Sequence, residues 1–190
     1  AHRHLGLDGE EELVGCGVSY CAVCDGAFYT GRDVAVVGGG DTALQDALFL
    51  ANSCRHVTLI HRRDQFRGED RLVRQVENRE NITILYSHTV EALHAANGEL
   101  TGITVKDAKT GEEKELAVEG LFAAVGQQPQ SAPFAALVNT AGGYYQAGED
   151  TLTDCGGVFA AGDVRVTPLR QVVTACADGA IAAMQCYKYI

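Results

Sequence analysis

The chain has 190 residues, 46% of them hydrophobic and 21% charged, an ordinary globular composition sufficient for one large or two small domains. A formal net charge of −10 argues against nucleic acid as the main partner, and no apolar run is long enough to span a membrane. Seven cysteines, an odd count at scattered spacings, do not resemble a secreted disulfide framework; a reducing cytoplasm fits them better.

The start, AHRHLGLDGEEEL, carries neither a signal peptide nor an initiating Met and is expected to be cut from something longer. Residues 1–14 are acidic and loop-like, with residues 8–12 expected as an exposed connection. The next stretch, GCGVSYCAVCDGAFYTGRD, holds a C-x-x-C at Cys21 and Cys24, with Asp25 directly after. Two cysteines at this spacing can close a small reducible ring, and a neighbouring acid can relay the proton that a thiolate gains or loses. The alternatives are a structural metal site and inert core thiols. Zinc wants four ligands, and only Cys16 lies close by. A thioredoxin fold is excluded because the pair precedes a nucleotide-binding unit. Cys54, Cys155, Cys176 and Cys186 have no partner at a telling spacing and are expected as buried small hydrophobes.

Residues 34–37 form a continuous β-branched and small apolar run, as for a strand buried on both faces. Gly38, Gly40 and Ala43 follow as G-x-G-x-x-A, in which bare backbone can approach a pyrophosphate and a small third residue lets a helix pack on the strand. Thr42 and Gln45 form a T-x-x-Q capping box, predicting a helix start beside those glycines. A second strand covers residues 56–60. Where an NAD site carries an acid at the end of that strand, this chain has His61, Arg62 and Arg63, with Arg67 one helical turn on. Guanidinium forks match the oxygens of a 2′-phosphate, so NADP(H) is the expected dinucleotide. Arg71 and Arg74 continue the run, which leaves a solvated basic face as the alternative.

A helix is expected over residues 69–78 and a third strand over 81–86. Between 88 and 118, short strands separated by Asn97-Gly98 and Thr110-Gly111 indicate an antiparallel meander. A buried strand returns at 120–126. All three prolines, Pro129, Pro133 and Pro168, lie beyond this point. The last segment reads as a hairpin arm at Tyr144 and Tyr145, a short strand at 158–161, Gly162-Asp163, and a closing helix over about 170–187. So short a segment with so little core is hard to stabilise alone and looks like half of a domain.

Several motifs now stand in one order: Cys21-Ala22-Val23-Cys24-Asp25-Gly26, Gly38-Gly39-Gly40-Asp41-Thr42-Ala43, His61-Arg62-Arg63 with Phe66-Arg67, Gly126 with Pro129, Gly157-Val158-Phe159-Ala160-Ala161-Gly162-Asp163, and Arg170-Gln171. Together they resemble the low-molecular-weight thioredoxin reductases of bacteria, and the resemblance covers essentially the whole chain. It implies an α/β fold: a three-layer Rossmann-like NADPH-binding domain with an antiparallel meander over residues 9–126, and the C-terminal part of a split FAD-binding domain over 127–190. Residues 1–8 would be the end of the first FAD-domain part and its linker. It implies a cytoplasmic homodimer passing electrons from NADPH through FAD and a Cys21–Cys24 disulfide to thioredoxin, with Asp25 as proton donor. Gly38, Gly40, Asp41, Thr42 and Ala43 would hold the NADPH pyrophosphate; His61, Arg62, Arg63 and Arg67 would serve the 2′-phosphate. Gly126 belongs to the same cofactor set. Gly162 and Asp163 would meet the ribityl chain of the flavin, and Arg170 and Gln171 its ring.

The chain departs from that family in carrying one glycine-rich strand–turn–helix unit where members have two, so the first half of the FAD domain is expected to be missing. Gln127-Gln128 stands where the family often has a His. Two further readings follow: an isolated NADPH-binding module without flavin or reductase activity, or a flavoprotein relative that serves a peroxiredoxin. Hinges are expected near 8–14 and 126–130, and exposed apolar surface, with association or local disorder, beyond residue 127.

Overall fold

Five short apolar segments build one parallel sheet in the computed structural model, which describes residues 2–190. They are β1 (Val18–Ser19), β2 (Asp33–Val37), β3 (His56–His61), β4 (Ile82–Tyr86) and β8 (Gly120–Ala123), in the order β1-β8-β2-β3-β4. Alternation within the runs sorts side chains between two cores. Val34, Val36, Val57 and Leu59 face the helices α2 (Asp41–Leu50) and α3 (Asp70–Glu77), where Leu44, Ala47, Leu50 and Val76 meet them. Ala35, Ile60 and Leu121 face the other way, onto Leu100, Ile103 and Val105 of a meander. Covering both faces is what lets the strand runs be apolar throughout.

The meander comprises β5 (His88–Ala96), β6 (Glu99–Asp107) and β7 (Glu113–Leu116), paired antiparallel. Asn97 and Gly98 join β5 to β6 with φ of 55° and 83°, the paired left-handed geometry that tight hairpins need and that Asn-Gly supplies. The three layers are therefore helices, parallel sheet and meander.

Several expectations change at this level. The capping box does not form: α2 starts two residues earlier, with Gly40 as an extended N-cap and no side-chain cap, so Thr42 already lies inside the helix. Residues 8–12 are not uniformly exposed, because Glu10 is only 3% exposed and its carboxylate is filled by nearby donors. Residues 158–161 form no strand; Phe159 makes an isolated bridge to Leu152, and a ladder needs neighbours on successive residues.

Residues 2–126 and 127–190 are separate compact units. The second holds the hairpin β9 (Thr140–Ala141) and β10 (Tyr144–Tyr145) and the helix α4 (Val172–Tyr189). Its buried apolar cluster is small, centred on Val138, Tyr145 and Ala160. A buried ion pair supplements it: Arg165 donates from Nε to Asp178 Oδ2 at 2.5 Å and from Nη2 to Oδ1 at 2.8 Å. Asp178 is the one buried residue of α4, while Val172, Val173, Met184 and Tyr187 stand exposed. Of the four cysteines expected in cores, only Cys54 is buried; Cys155 is partly exposed and Cys176 and Cys186 are exposed. The last two ride on α4, which meets its own unit along a narrow stripe. Among the described residues, no helix is long and apolar enough to cross a membrane.

Candidate functional site

The chain turns sharply where β2 ends. Gly38 donates its N–H to the Ile60 carbonyl at 3.0 Å, and a Cβ there would lie 2.5 Å from the Ala124 carbonyl oxygen and 2.6 Å from Ala43 Cβ. Ala43 is fully buried beneath the turn, so the small third residue of the motif serves strand–helix packing. Gly40 differs: nothing lies within 4 Å of a Cβ added there. Its open side belongs to a cleft of about 490 Å³ also lined by Gly38, Gly39, Thr42, His61, Arg62, Arg67 and Gly126. No side chain caps α2, which leaves its first-turn N–H groups and positive dipole end at the cleft.

The cationic loop is clipped to the glycine loop. Arg67 donates its N–H to the Gly39 carbonyl at 2.7 Å, and His61 Nε2 lies 3.1 Å from the Gln65 carbonyl. The His61 ring sits directly over Gly39, where an added Cβ would come within 2.1 Å of Cε1. Burial pushes the His61 pKa down, and Arg67, Arg63 and Arg62 push the same way against the pull of the Gln65 carbonyl. The ring is therefore neutral and donates from Nε2 to Gln65, acting as a post for the loop and not as a cation. Arg62 and Arg67 are exposed at the cleft. Arg63 does not line it; its carbonyl accepts from Ser87 N at 2.9 Å and ties the loop to the start of the meander. Asp41 does not line it either. Its Oδ1 accepts from Glu69 N at 2.7 Å, bracing the far end of the loop.

At the end of β1, Cys21 and Cys24 form a disulfide with Cα atoms 5.2 Å apart. Cys21 is the N-cap of the short helix α1 (Ala22–Asp25), and its sulfur accepts from Cys24 N at 3.2 Å. Ser19 Oγ donates to Asp25 Oδ2 at 2.6 Å and accepts from Cys21 N at 3.1 Å. One hydroxyl thus fixes the carboxylate relative to the cysteine backbone. Cys24 is exposed, flanked by Val23 and Phe28, which are 62% and 76% exposed.

In the second unit, Gly162 donates its N–H to Asp178 Oδ2 at 3.0 Å, and Asp163 stands exposed in the following turn. Arg170 lies over the Tyr144 ring, 4.2 Å from its centroid, and its Nε is buried with no hydrogen-bond partner. Gln171 and Thr174 cap α4 reciprocally. A buried donor without a partner at Arg170, an exposed carboxylate acceptor at Asp163 and the exposed apolar Val172 and Val173 are a set whose chemistry suits the polar edge, hydroxyl chain and flat face of a flavin.

A family model for pyridine nucleotide-disulphide oxidoreductases matches residues 1–179. The chain belongs to that family. It is 42% identical over 190 residues to thioredoxin reductase of Bacillus subtilis (strain 168), covering 100% of this chain and 60% of the relative. It is also 42% identical over 190 residues to a bifunctional thioredoxin reductase/thioredoxin of Mycobacterium leprae (strain TN), covering 99% of this chain and 41% of that one. Among solved structures, thioredoxin reductase from Streptococcus pyogenes MGAS5005 superposes with a TM-score of 0.94 at 36% identity, covering 100% of this chain and 62% of that one. The enzyme from Giardia duodenalis gives 0.88 at 35% identity, covering 98% of this chain and 62% of that one. The chain therefore spans about 60% of the length of the Bacillus relative.

Within this member of the family, the structure brings to the cleft and the disulfide residues that motif reading missed. Ser19 is one; its signal was a hydroxyl two residues before Cys21, a spacing at which Ser commonly accepts a backbone N–H. Arg3, His4, Leu5, His88 and Thr89 also line the cleft. They reach it from segments distant in sequence, so no local pattern marks them.

Proposed function

We propose that the protein to which this chain belongs is a thioredoxin-disulfide reductase drawing electrons from NADPH. The observation that carries this reading is one parallel sheet whose ends hold both a glycine-lined cleft with cations at its β3 end and a C-x-x-C disulfide beside an anchored acid. The N–H groups at the start of α2 would hold the pyrophosphate, and Arg62 and Arg67 the 2′-phosphate. FAD, when bound, would supply the two-electron relay from the nicotinamide to the disulfide. Arg170, Gln171 and Asp163 fit the ring and ribityl side of that cofactor.

Reduction adds two electrons and two protons to the Cys21–Cys24 bond, giving two thiols. One of these, as thiolate, then attacks a sulfur of the partner's disulfide and expels the other partner sulfur as thiolate. Asp25 would take the proton that the attacking thiol gives up and pass it to that leaving group. The second cysteine attacks the mixed bond, restoring Cys21–Cys24 and releasing the reduced partner. A thioredoxin-like dithiol protein is the partner chemistry this fits.

Calorimetric titration of the chain with NADPH and NADH tests the nucleotide half: NADPH should bind at least about tenfold more tightly, a difference of about 1.4 kcal/mol. Equal affinity would remove Arg62 and Arg67 from the role given them. A narrower reading holds for the chain by itself. It carries a single glycine-rich strand–turn–helix unit, β2 to α2, and so binds NADPH without flavin. Purified protein with a stoichiometric flavin absorbance would overturn that.

A further inference from the structure

Glu10 is a buried carboxylate that neither the nucleotide cleft nor the disulfide chemistry uses. Its Oε1 accepts from Leu5 N at 2.9 Å and from the Tyr20 hydroxyl at 2.7 Å; its Oε2 accepts from Gly6 N at 2.8 Å and Leu7 N at 3.3 Å. Burial raises its pKa, but these donors outweigh burial and hold it below the ordinary range, so the group stays ionised. Tyr20 in turn meets His4 Nδ1 at 3.0 Å and stacks on the His2 ring at 5.2 Å. One anion therefore folds residues 2–7 back onto the end of β1.

That folded segment has a second anchor. Arg3 donates its N–H to the Gly126 carbonyl at 3.0 Å, just past β8. Arg3, His4 and Leu5 consequently line the cleft. In the sheet order β8-β2-β3, Gly126 and Arg3 lie on one side of the glycine loop, and Arg62 and Arg67 lie on the other. Arg3 is exposed and has no ion-pair partner among the described residues.

We propose that residues 3–5 form the wall of the cleft for the nicotinamide-nucleotide half of NADPH, with Arg3 holding its phosphate or ribose oxygens and Glu10 acting as the positioning residue for that wall. This rests on the reading of the cleft as an NADPH site. Its content is a division of labour: Arg62 and Arg67 see the 2′-phosphate end, whereas Arg3 sees the part that NADPH and NADH share.

The test compares NADPH with adenosine 2′,5′-bisphosphate, which lacks the nicotinamide half, on the full chain by titration calorimetry. Arg3→Ala and Glu10→Gln should each weaken NADPH about 5- to 30-fold and leave the bisphosphate within about twofold. The double variant should be no weaker than the worse single variant, since a misplaced Arg3 has nothing left to lose. Additive losses, or equal weakening of both ligands, would overturn the positioning role. Tyr20→Phe removes one of the donors to Glu10 and should show the same split at smaller size, which covers failure of Glu10→Gln to fold. Amide exchange at Leu5, Gly6 and Leu7 should slow when NADPH is added; unchanged exchange would count against the wall. If the unaltered chain binds neither ligand, the cleft is not a nucleotide site and the underlying reading fails instead.

Discussion

Adding one methyl group at adjacent glycines should separate folding from binding. At Gly40 the backbone is extended (φ −101°, ψ −178°), and a Cβ would meet nothing within 4 Å. Alanine is a poorer N-cap than glycine by roughly 0.5–1 kcal/mol, and the stiffer unfolded chain returns about 0.4–1 kcal/mol. Gly40→Ala should therefore unfold in urea within about 0.5 kcal/mol of the parent. The methyl nevertheless fills the open side of the cleft, where a pyrophosphate must approach the backbone. Losing one hydrogen bond to a charged oxygen costs roughly 1.5–3 kcal/mol, a 10- to 150-fold weaker NADPH titration. At Gly39 the same methyl would come within 2.1 Å of the His61 ring, driving it from the Gln65 carbonyl and from Phe66, whose ring centroid is 5.4 Å away. Overpacking of about 1–3 kcal/mol and a lost hydrogen bond of about 1 kcal/mol should make Gly39→Ala the less stable variant by roughly 2–4 kcal/mol. The reasoning is refuted if Gly40→Ala binds NADPH like the parent, or if Gly39→Ala melts where Gly40→Ala does.

Asp46, on α2, has a carboxyl whose pKa burial raises from 3.8 to about 6. The folded state thus disfavours its ionisation as pH rises through that window, so Asp46→Asn should stabilise by ~1–2 kcal/mol above pH 6, after allowance for screening, and by nothing below about pH 4. Urea melts at the two pH values check this, and a pH-independent effect would contradict it. Asp178→Ala leaves the Arg165 cation buried without its partner and should cost about 3–5 kcal/mol, read as faster amide exchange confined to residues 127–190. Arg165 holds the Asp178 carboxyl below its ordinary 3.8, against burial, so that pair contributes fully above this pH and weakens as pH falls below it. Ser19→Ala frees Asp25 and should slow exchange of the reduced dithiol with a small disulfide about 3- to 10-fold, displacing its pH profile while NADPH affinity is unchanged; an unaltered profile would deny Asp25 the proton.

The elements built on strong local patterns were legible in the sequence. The apolar run of β2 and the Asn97-Gly98 turn each state their role through residue type at fixed spacing. What failed was whatever depended on remote neighbours. Thr42 reads as a cap, but Gly40 already supplies the extended residue that starts α2. Glu10 reads as one more acid in an acidic loop, and only the fold shows the donors that bury it. Cys176 and Cys186 read as core residues by type, and their helix leaves them exposed.

The two halves of the site are tied down by different contacts, and the chemistry proposed for them calls for different freedom. The nucleotide side is clamped before any ligand arrives: Arg67 to Gly39, the His61 ring over Gly39, and Asp41 to Glu69. A cleft whose backbone is already braced loses little conformational entropy on binding. On the proposed reading, pyrophosphate affinity and 2′-phosphate selectivity would be coupled, since the Arg67–Gly39 bond ties the two loops together. The disulfide sits in a helix of 4 residues whose acid is anchored by the Ser19 hydroxyl. Thiol–disulfide exchange must open a covalent S–S bond to non-bonded contact and present one sulfur to a partner, so the cysteine segment has to yield where the nucleotide loops must not.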